Sequence, residues 1–122
     1  MSYQNRILRV DLTRGSFSEE PLSDALKKDF IGGRGFGVKL LFDDLKAGTD
    51  PLSEDNEIIF VAGPLAGTNA QSFGRLKVFF KSPLTGTYFK SSSGGYFAAE
   101  MKFAGLDVIL IKGKAEKPVY LW

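Results

Sequence analysis

Glycine, serine and arginine residues are the best candidates for ligand binding in this sequence, and they cluster at the ends of predicted strands. The clearest cluster is Ser91-Ser92-Ser93-Gly94-Gly95-Tyr96, which precedes a predicted amphipathic helix. Free backbone N–H groups at a helix start attract anions, and Gly94 and Gly95 allow a ligand to approach the backbone closely. An ordinary serine N-cap explains the same pattern equally well, so both interpretations stay open at this point.

Arg75 is the second candidate, because it follows Gly74 at the start of a predicted strand and after a polar loop. A guanidinium there can pair bidentately with a phosphate or another oxyanion, although a solvated surface arginine is the commoner case. Loops at one end of neighbouring strands share a rim of the sheet. We therefore predict that the loop at 63–64, the approach to Arg75 and the turn at 92–95 meet on one rim.

The glycine-rich segment Gly32-Gly33-Arg34-Gly35-Phe36-Gly37 does not carry a dinucleotide-binding fingerprint. That fingerprint needs G-x-G-x-x-G directly after a strand, whereas Val38 takes the place of the third glycine and the preceding segment is predicted to be helical. Two interpretations remain. One is a corner between helices that needs positive φ, and the other is a close backbone approach to a ligand with Arg34 nearby.

Composition excludes several kinds of chemistry from this chain, whose 122 residues correspond to a single domain over 1–122. Without Cys or His the chain cannot build a disulfide, an iron–sulfur cluster or a thiolate zinc site, and it lacks the commonest general base. Sixteen Lys and Arg against fourteen Asp and Glu leave a net charge of +2, too small to indicate nucleic acid or an anionic membrane as a partner. The adjacent carboxylates are interpreted as solvated surface, so no catalytic residue is predicted.

No apolar run approaches the roughly 20 residues that a membrane span needs. The longest such runs are 58–62 and 108–111, and the polar N-terminal residues do not resemble a signal peptide. We therefore expect a cytoplasmic location.

Alternation and turn residues predict an α+β fold in which a β-sheet carries three short helices. Phe17 is expected to point inward, and Ser23 is expected to cap the first helix. The second helix is expected to pack through Val38, Leu41, Phe42 and Leu45. The predicted strands are 6–12, 16–21, 57–62, 75–80, 87–90, 107–111 and 119–122, and the predicted helices are 24–31, 36–45 and 96–103. Because an apolar strand at 119–122 would be an exposed edge, we interpret the chain as a piece of a longer protein.

Several short motifs follow one another in an order and spacing that closely resembles the N-terminal domain of aldehyde ferredoxin oxidoreductases. The resemblance covers nearly the whole chain. Its motifs are Gly33-Arg34-Gly35, Ile59-Phe60-Val61-Ala62-Gly63-Pro64-Leu65-Ala66-Gly67-Thr68, Gly74-Arg75, Lys81-Ser82-Pro83-Leu84-Thr85-Gly86, Ser93-Gly94-Gly95-Tyr96-Phe97, Lys102-Phe103-Ala104-Gly105 and Gly113-Lys114-Ala115-Glu116-Lys117-Pro118.

The resemblance implies an oxidoreductase that converts aldehydes to carboxylic acids with a tungsten or molybdenum bis-pterin and passes electrons through a 4Fe-4S cluster to ferredoxin. The N-terminal domain of such an enzyme is a sheet base on which the tungstopterin or molybdopterin lies. By resemblance Arg75 and Gly94 contact the pterin, beside Gly95. The Ser92 backbone carbonyl binds a magnesium ion that bridges the pterin phosphates. The family often has Asn at the Ser92 position.

The resemblance also implies that the cluster ligands and acid–base residues belong to other domains of the parent enzyme, so this chain alone is expected to be inactive. A homodimer is a further implication. The alternative is a stand-alone phosphate-binding, nucleotide-binding or structural module without catalytic activity.

Overall fold

Six strands form one mixed sheet in the computed structural model, which describes residues 2–122. The strands are β1 (Arg6–Asp11), β2 (Ser16–Pro21), β3 (Glu57–Ala62), β4 (Leu76–Lys81), β5 (Tyr88–Ser93) and β6 (Val108–Lys112). Their spatial order is β2-β1-β6-β3-β4-β5. β1 and β6 run parallel, and the other neighbouring pairs among the described strands are antiparallel. The predicted α+β class is therefore confirmed.

Three helices cover the two faces of this sheet. They are α1 (Asp24–Phe30), α2 (Arg34–Asp44) and α3 (Phe97–Phe103). Successive side chains of a strand point to opposite faces, so each central strand supplies apolar residues to both sides. α2 packs on β3 and β4 and contacts α1, whereas α3 packs on β3 from the other side.

Each face has its own apolar core. The larger core joins α2 to the sheet and consists of Ile7, Leu22, Phe36, Leu40, Leu41, Ile59, Val61, Phe79, Val108 and Leu110. The smaller core lies under α3 and consists of Ala62, Ala66, Leu76, Ala98 and Met101. Both cores lie on the central strands.

Several local predictions are confirmed. The first two strands form the expected hairpin, and β3 spans the predicted residues. Ser23 caps α1, since its Oγ accepts a hydrogen bond from the N–H of Leu26 at 3.1 Å. Gly105 follows the C-cap of α3 with φ of +86°, as expected of a glycine after a helix end.

The predicted packing face of α2 is only partly correct. Leu41 is buried and Leu45 packs against the larger core, whereas Val38 and Phe42 are exposed, Phe42 by 81%. The buried residues of this helix are Phe36, Gly37, Leu40 and Leu41. The glycine explains the difference, because a Cβ on Gly37 would lie 2.1 Å from the Phe79 ring. The helix α2 therefore approaches the sheet very closely at Gly37, and this close approach decides which face of α2 is buried.

Two further predictions are also wrong. Phe17 is 77% exposed, because it lies on the edge strand β2 while α3 packs on the distant β3. Residues 119–122 are exposed and form no strand, since no strand of the described sheet pairs with them. A strand exists only where a neighbour accepts its backbone hydrogen bonds.

The longest described helix, α2, has eleven residues. Within residues 2–122, no helix combines the length and the apolar character that a membrane span requires.

Candidate functional site

The three loops predicted to converge do share one rim of the sheet. In the strand register Ala62 lies opposite Leu76, and Leu76 lies opposite Ser93. The end of β3, the start of β4 and the end of β5 are therefore side by side. The loop that begins at Gly63, the Gly74-Arg75 segment and the Gly94-Gly95 segment extend from these three points, so the predicted rim is confirmed.

Arg75 lies beside the glycine pair on this rim. Continuing the β4–β5 register by one residue brings Arg75 opposite Gly94. The two segments touch, because a Cβ on Gly74 would lie 3.3 Å from the carbonyl oxygen of Gly95. The two candidates chosen from separate parts of the sequence therefore lie side by side.

The glycine pair faces open space. A Cβ built on Gly94 or on Gly95 would have no atom of another segment within 4 Å, and Gly95 has φ of +88°. A ligand can therefore reach the backbone of both residues without displacing a side chain.

The serines before this pair do not open a helix, although both interpretations of the sequence assumed that they precede one directly. Residues 91–93 belong to β5, which ends at Ser93, and α3 begins only at Phe97. Its N-cap is Tyr96, and no side chain caps that end. The serine-cap interpretation is therefore wrong. The helix of seven residues also begins too far along the chain for its N-terminal amides to include those of Gly94 and Gly95.

Ser92 is exposed and contacts a residue that the sequence analysis missed. Lys77 lies directly opposite Ser92 in the β4–β5 ladder, and its Nζ donates a hydrogen bond to Ser92 Oγ at 2.7 Å. The spacing of Arg75 and Lys77 could have indicated Lys77 as a site residue, because residues two apart in the predicted strand 75–80 share a face. The same rule places Lys90 and Ser92 on one face of β5.

Positive charge is concentrated around Lys77. Burial lowers the pKa of Lys77 below 10.5, and the nearby charges of Lys90, Arg34 and Arg75 lower it further. None of these four cations forms an ion pair within the described residues. We call Arg34, Arg75, Lys77 and Lys90 the cationic cluster. A cluster of this kind favours the binding of an anion.

The glycine-rich corner before α2 packs against the protein itself. Gly32 and Gly33 have φ of +153° and +51°, and a Cβ on Gly32 would lie 2.8 Å from Pro64 Cδ. The interpretation as a corner between helices is confirmed. The corner rests on the loop after β3 and so brings Arg34, the first residue of α2, to the rim.

Four of the carboxylates that the sequence analysis interpreted as surface groups, Glu19, Glu20, Asp43 and Asp44, are held in ion pairs by cations outside the cationic cluster. Among residues 2–122 there is no group of three or more His, Cys, Asp or Glu side chains that could hold a metal ion. The rim therefore offers positive charge and hydrogen-bond donors, which are the groups that favour an anion.

A separate polar cavity of about 420 Å³ lies at the opposite end of the sheet. Its lining includes Glu57, which is 6% exposed and has an Oε1 without a hydrogen-bond partner in the described residues. Burial, together with the charge of Asp44, raises the pKa of Glu57 to about 7, although Arg9 and Lys112 act in the other direction. This cavity includes none of the residues of the glycine rim.

Comparison with known proteins gives one consistent family. Residues 7–122 match the family described as aldehyde ferredoxin oxidoreductase, N-terminal domain. The chain is 49% identical over 120 residues to a tungsten-containing aldehyde ferredoxin oxidoreductase of Pyrococcus abyssi, covering 98% of this chain and 20% of that protein. It is 37% identical over 124 residues to the aliphatic sulfonate oxidoreductase, WOR-like subunit, of Pyrococcus furiosus, covering 99% of this chain and 20% of that protein.

A solved structure shows the same fold. The active site complex BamBC of benzoyl coenzyme A reductase, in complex with 1,5-dienoyl-CoA, superposes with a TM-score of 0.96 and 37% identity. The match covers 98% of this chain and 18% of that chain. The chain thus spans about a fifth of the length of the proteins it matches.

Proposed function

The chain belongs to the aldehyde ferredoxin oxidoreductase family, and on that premise we propose that it is the cofactor-binding N-terminal domain of an enzyme that oxidises aldehydes to carboxylic acids with ferredoxin as electron acceptor. The tungsten-containing relatives support a tungsten cofactor in the parent enzyme. When bound, a tungsten or molybdenum bis-pterin supplies the two-electron redox chemistry. This chain supplies one side of its binding site.

The proposal assigns a role to each residue of the rim. Arg75 donates hydrogen bonds to the pterin, and Gly94 and Gly95 leave space for the pterin to approach their backbone. The backbone carbonyl of Ser92 would be a ligand for magnesium, a hard cation that prefers oxygen. These roles are compatible with a single binding site, because the β4–β5 register, continued by one residue, brings Arg75 opposite Gly94.

The observation that carries the proposal is an open glycine rim beside cations that lack a counter-ion. No atom of another segment lies within 4 Å of a Cβ on Gly94 or Gly95, and Arg75 and Lys77 have no carboxylate partner in the described chain. A phosphate-bearing cofactor needs donors, carbonyl oxygens and free space, and the rim offers all three. The residues present therefore fit the cofactor.

The remaining parts of the reaction are assigned to other domains of the parent enzyme. A chain without Cys does not ligate a 4Fe-4S cluster, and we assign the acid–base residues to the same other domains. Binding of ferredoxin and of the aldehyde, the formation of a homodimer and a cytoplasmic location are likewise proposals for the parent protein. The 122 residues alone are expected to have no aldehyde oxidation activity.

Metal and pterin content of the full-length protein tests this function. The protein is purified without oxygen, tungsten and molybdenum are measured by elemental analysis, and pterin is measured by fluorescence after oxidation. Arg75→Ala is expected to lower both contents severalfold. Arg14→Ala is the matched control, because Arg14 lines the cavity at the opposite end of the sheet. Wild-type content in Arg75→Ala, or no metal and pterin in the wild type, would contradict the proposal.

The alternative is a stand-alone phosphate-binding module, and the cationic cluster is compatible with it. The coding sequence separates the two functions. A continuation that contains a Cys-x-x-Cys motif supports the enzyme, whereas a stop codon directly after Trp122 supports the module.

A further inference from the structure

Lys77 extends the proposed cofactor site beyond the residues already assigned. Arg75 directly precedes β4 and Lys77 is the second residue of that strand, so an extension of the strand by one residue would place their side chains on one face of the sheet. Lys77 lies opposite Ser92, and Arg75 continues the same register opposite Gly94. We infer that Lys77 is a further anion-binding residue, whose ammonium group holds one phosphate group of the cofactor together with Arg75. This inference rests on the proposed function.

The ammonium group of Lys77 has N–H donors beyond the one that binds Ser92. A lysine ammonium carries three N–H donors, and Lys77 uses one of them on Ser92 Oγ at 2.7 Å. No carboxylate takes the other two in the described residues. The hydrogen bond to Ser92 also orients the side chain, because it holds a flexible lysine at the rim.

Electrostatics favours an anion at this position. Lys77 is half-buried and is surrounded by the charges of Lys90, Arg34 and Arg75, which together with burial lower its pKa. Like charges gathered without a counter-ion repel one another, and a bound phosphate relieves that repulsion. A lysine that only supported the Ser92 side chain would gain nothing from an anion, and this difference makes the inference testable.

The first test measures binding of inorganic pyrophosphate to the full-length protein freed of its cofactor, by isothermal titration calorimetry. Lys77→Met is expected to weaken binding about tenfold, since it removes one charge-assisted hydrogen bond. Lys77→Arg keeps the charge and should stay within about threefold of the wild type. Lys46→Met is the control for loss of one positive charge, because Lys46 lines the cavity at the other end of the sheet. Affinity in Lys77→Met equal to that of Lys46→Met would overturn the inference.

A second measurement does not depend on any variant folding correctly. In the wild-type protein, the side-chain NMR signal of Lys77 should shift when pyrophosphate is added, and its pKa should rise. A Lys77 side-chain NMR signal that does not shift when pyrophosphate is added would overturn the inference.

Cofactor content separates this inference from the function on which it rests. Loss of tungsten and pterin in both Arg75→Ala and Lys77→Met supports both. Loss in Arg75→Ala with full content in Lys77→Met overturns the role of Lys77 and leaves the proposed function standing. Full content in both variants overturns both.

Discussion

Lys102 and Asp107 form an ion pair that is almost completely buried, with side chains 3% and 1% exposed. Asp107 also accepts hydrogen bonds from the backbone N–H of Gln4, at 3.0 and 3.1 Å. Lys102 Nζ donates to the carbonyl oxygen of Ser2 at 2.6 Å. The pair therefore fastens the segment that leads into β1 to the end of α3.

Removing one partner of this pair should be costly. Lys102→Met leaves the Asp107 carboxylate buried without its cation, so we expect a loss of about 3–5 kcal/mol in the free energy of unfolding. Lys39→Met is the control, because the side chains of the Lys39–Asp43 ion pair are 37% and 45% exposed and the pair should contribute at most about 1 kcal/mol. Urea unfolding of both variants measures the difference. Equal losses would show that burial of the Lys102–Asp107 pair has no effect on its contribution.

Glu57 should make the stability depend on pH. Burial raises its pKa to about 7 from an ordinary value of 4.5, so the folded chain binds this proton more tightly than the unfolded chain. The contribution of Glu57 is therefore complete below about pH 4.5 and is lost as the pH rises through 7, by at most about 3 kcal/mol. Urea unfolding at pH 5 and pH 8 measures this loss.

Glu57→Gln is neutral at both pH values, so the variant should lose this part of the pH dependence and be the more stable protein at pH 8. An identical pH dependence in the two proteins would mean that Glu57 has an ordinary pKa.

Gly94→Ala should separate binding from folding. Gly94 has no positive φ, and a Cβ there meets nothing within 4 Å, so the free energy of unfolding should change by no more than about 0.5 kcal/mol. The new methyl group would stand where the cofactor approaches, so tungsten and pterin content of the full-length protein should fall.

Full cofactor content in Gly94→Ala would contradict a close approach at this glycine.

Two phenylalanines of α2 should differ sharply in their contribution to stability. Phe36 is 1% exposed in the larger core, whereas Phe42 on the same helix is 81% exposed. Phe36→Ala should cost about 3–5 kcal/mol, because it leaves a cavity. Phe42→Ala should cost no more than about 0.5 kcal/mol, because a surface side chain loses few contacts. Thermal and urea unfolding compare the two variants. A larger loss of stability in Phe42→Ala than in Phe36→Ala would support the packing face that the residue spacing predicted for α2.

Local patterns were enough to predict most elements and the rim on which the candidate site residues lie. The alternation of the first strand, the apolar run of Glu57–Ala62 and the cap at Ser23 each depend on neighbouring residues only, and each is confirmed. The convergence of the glycine loops on one rim was also predicted, because loops at one end of neighbouring strands share a rim of the sheet.

Pairings between distant segments decided the rest. The β4–β5 register joins Lys77 to Ser92, the glycine Gly37 lets α2 approach Phe79, and the lack of a partner strand leaves 119–122 without strand structure. The sequence by itself determined which residues share a face of a strand or helix, because that follows from the geometry of one element. Only the tertiary structure decided which faces are covered and which cations meet, because these depend on elements far apart along the chain.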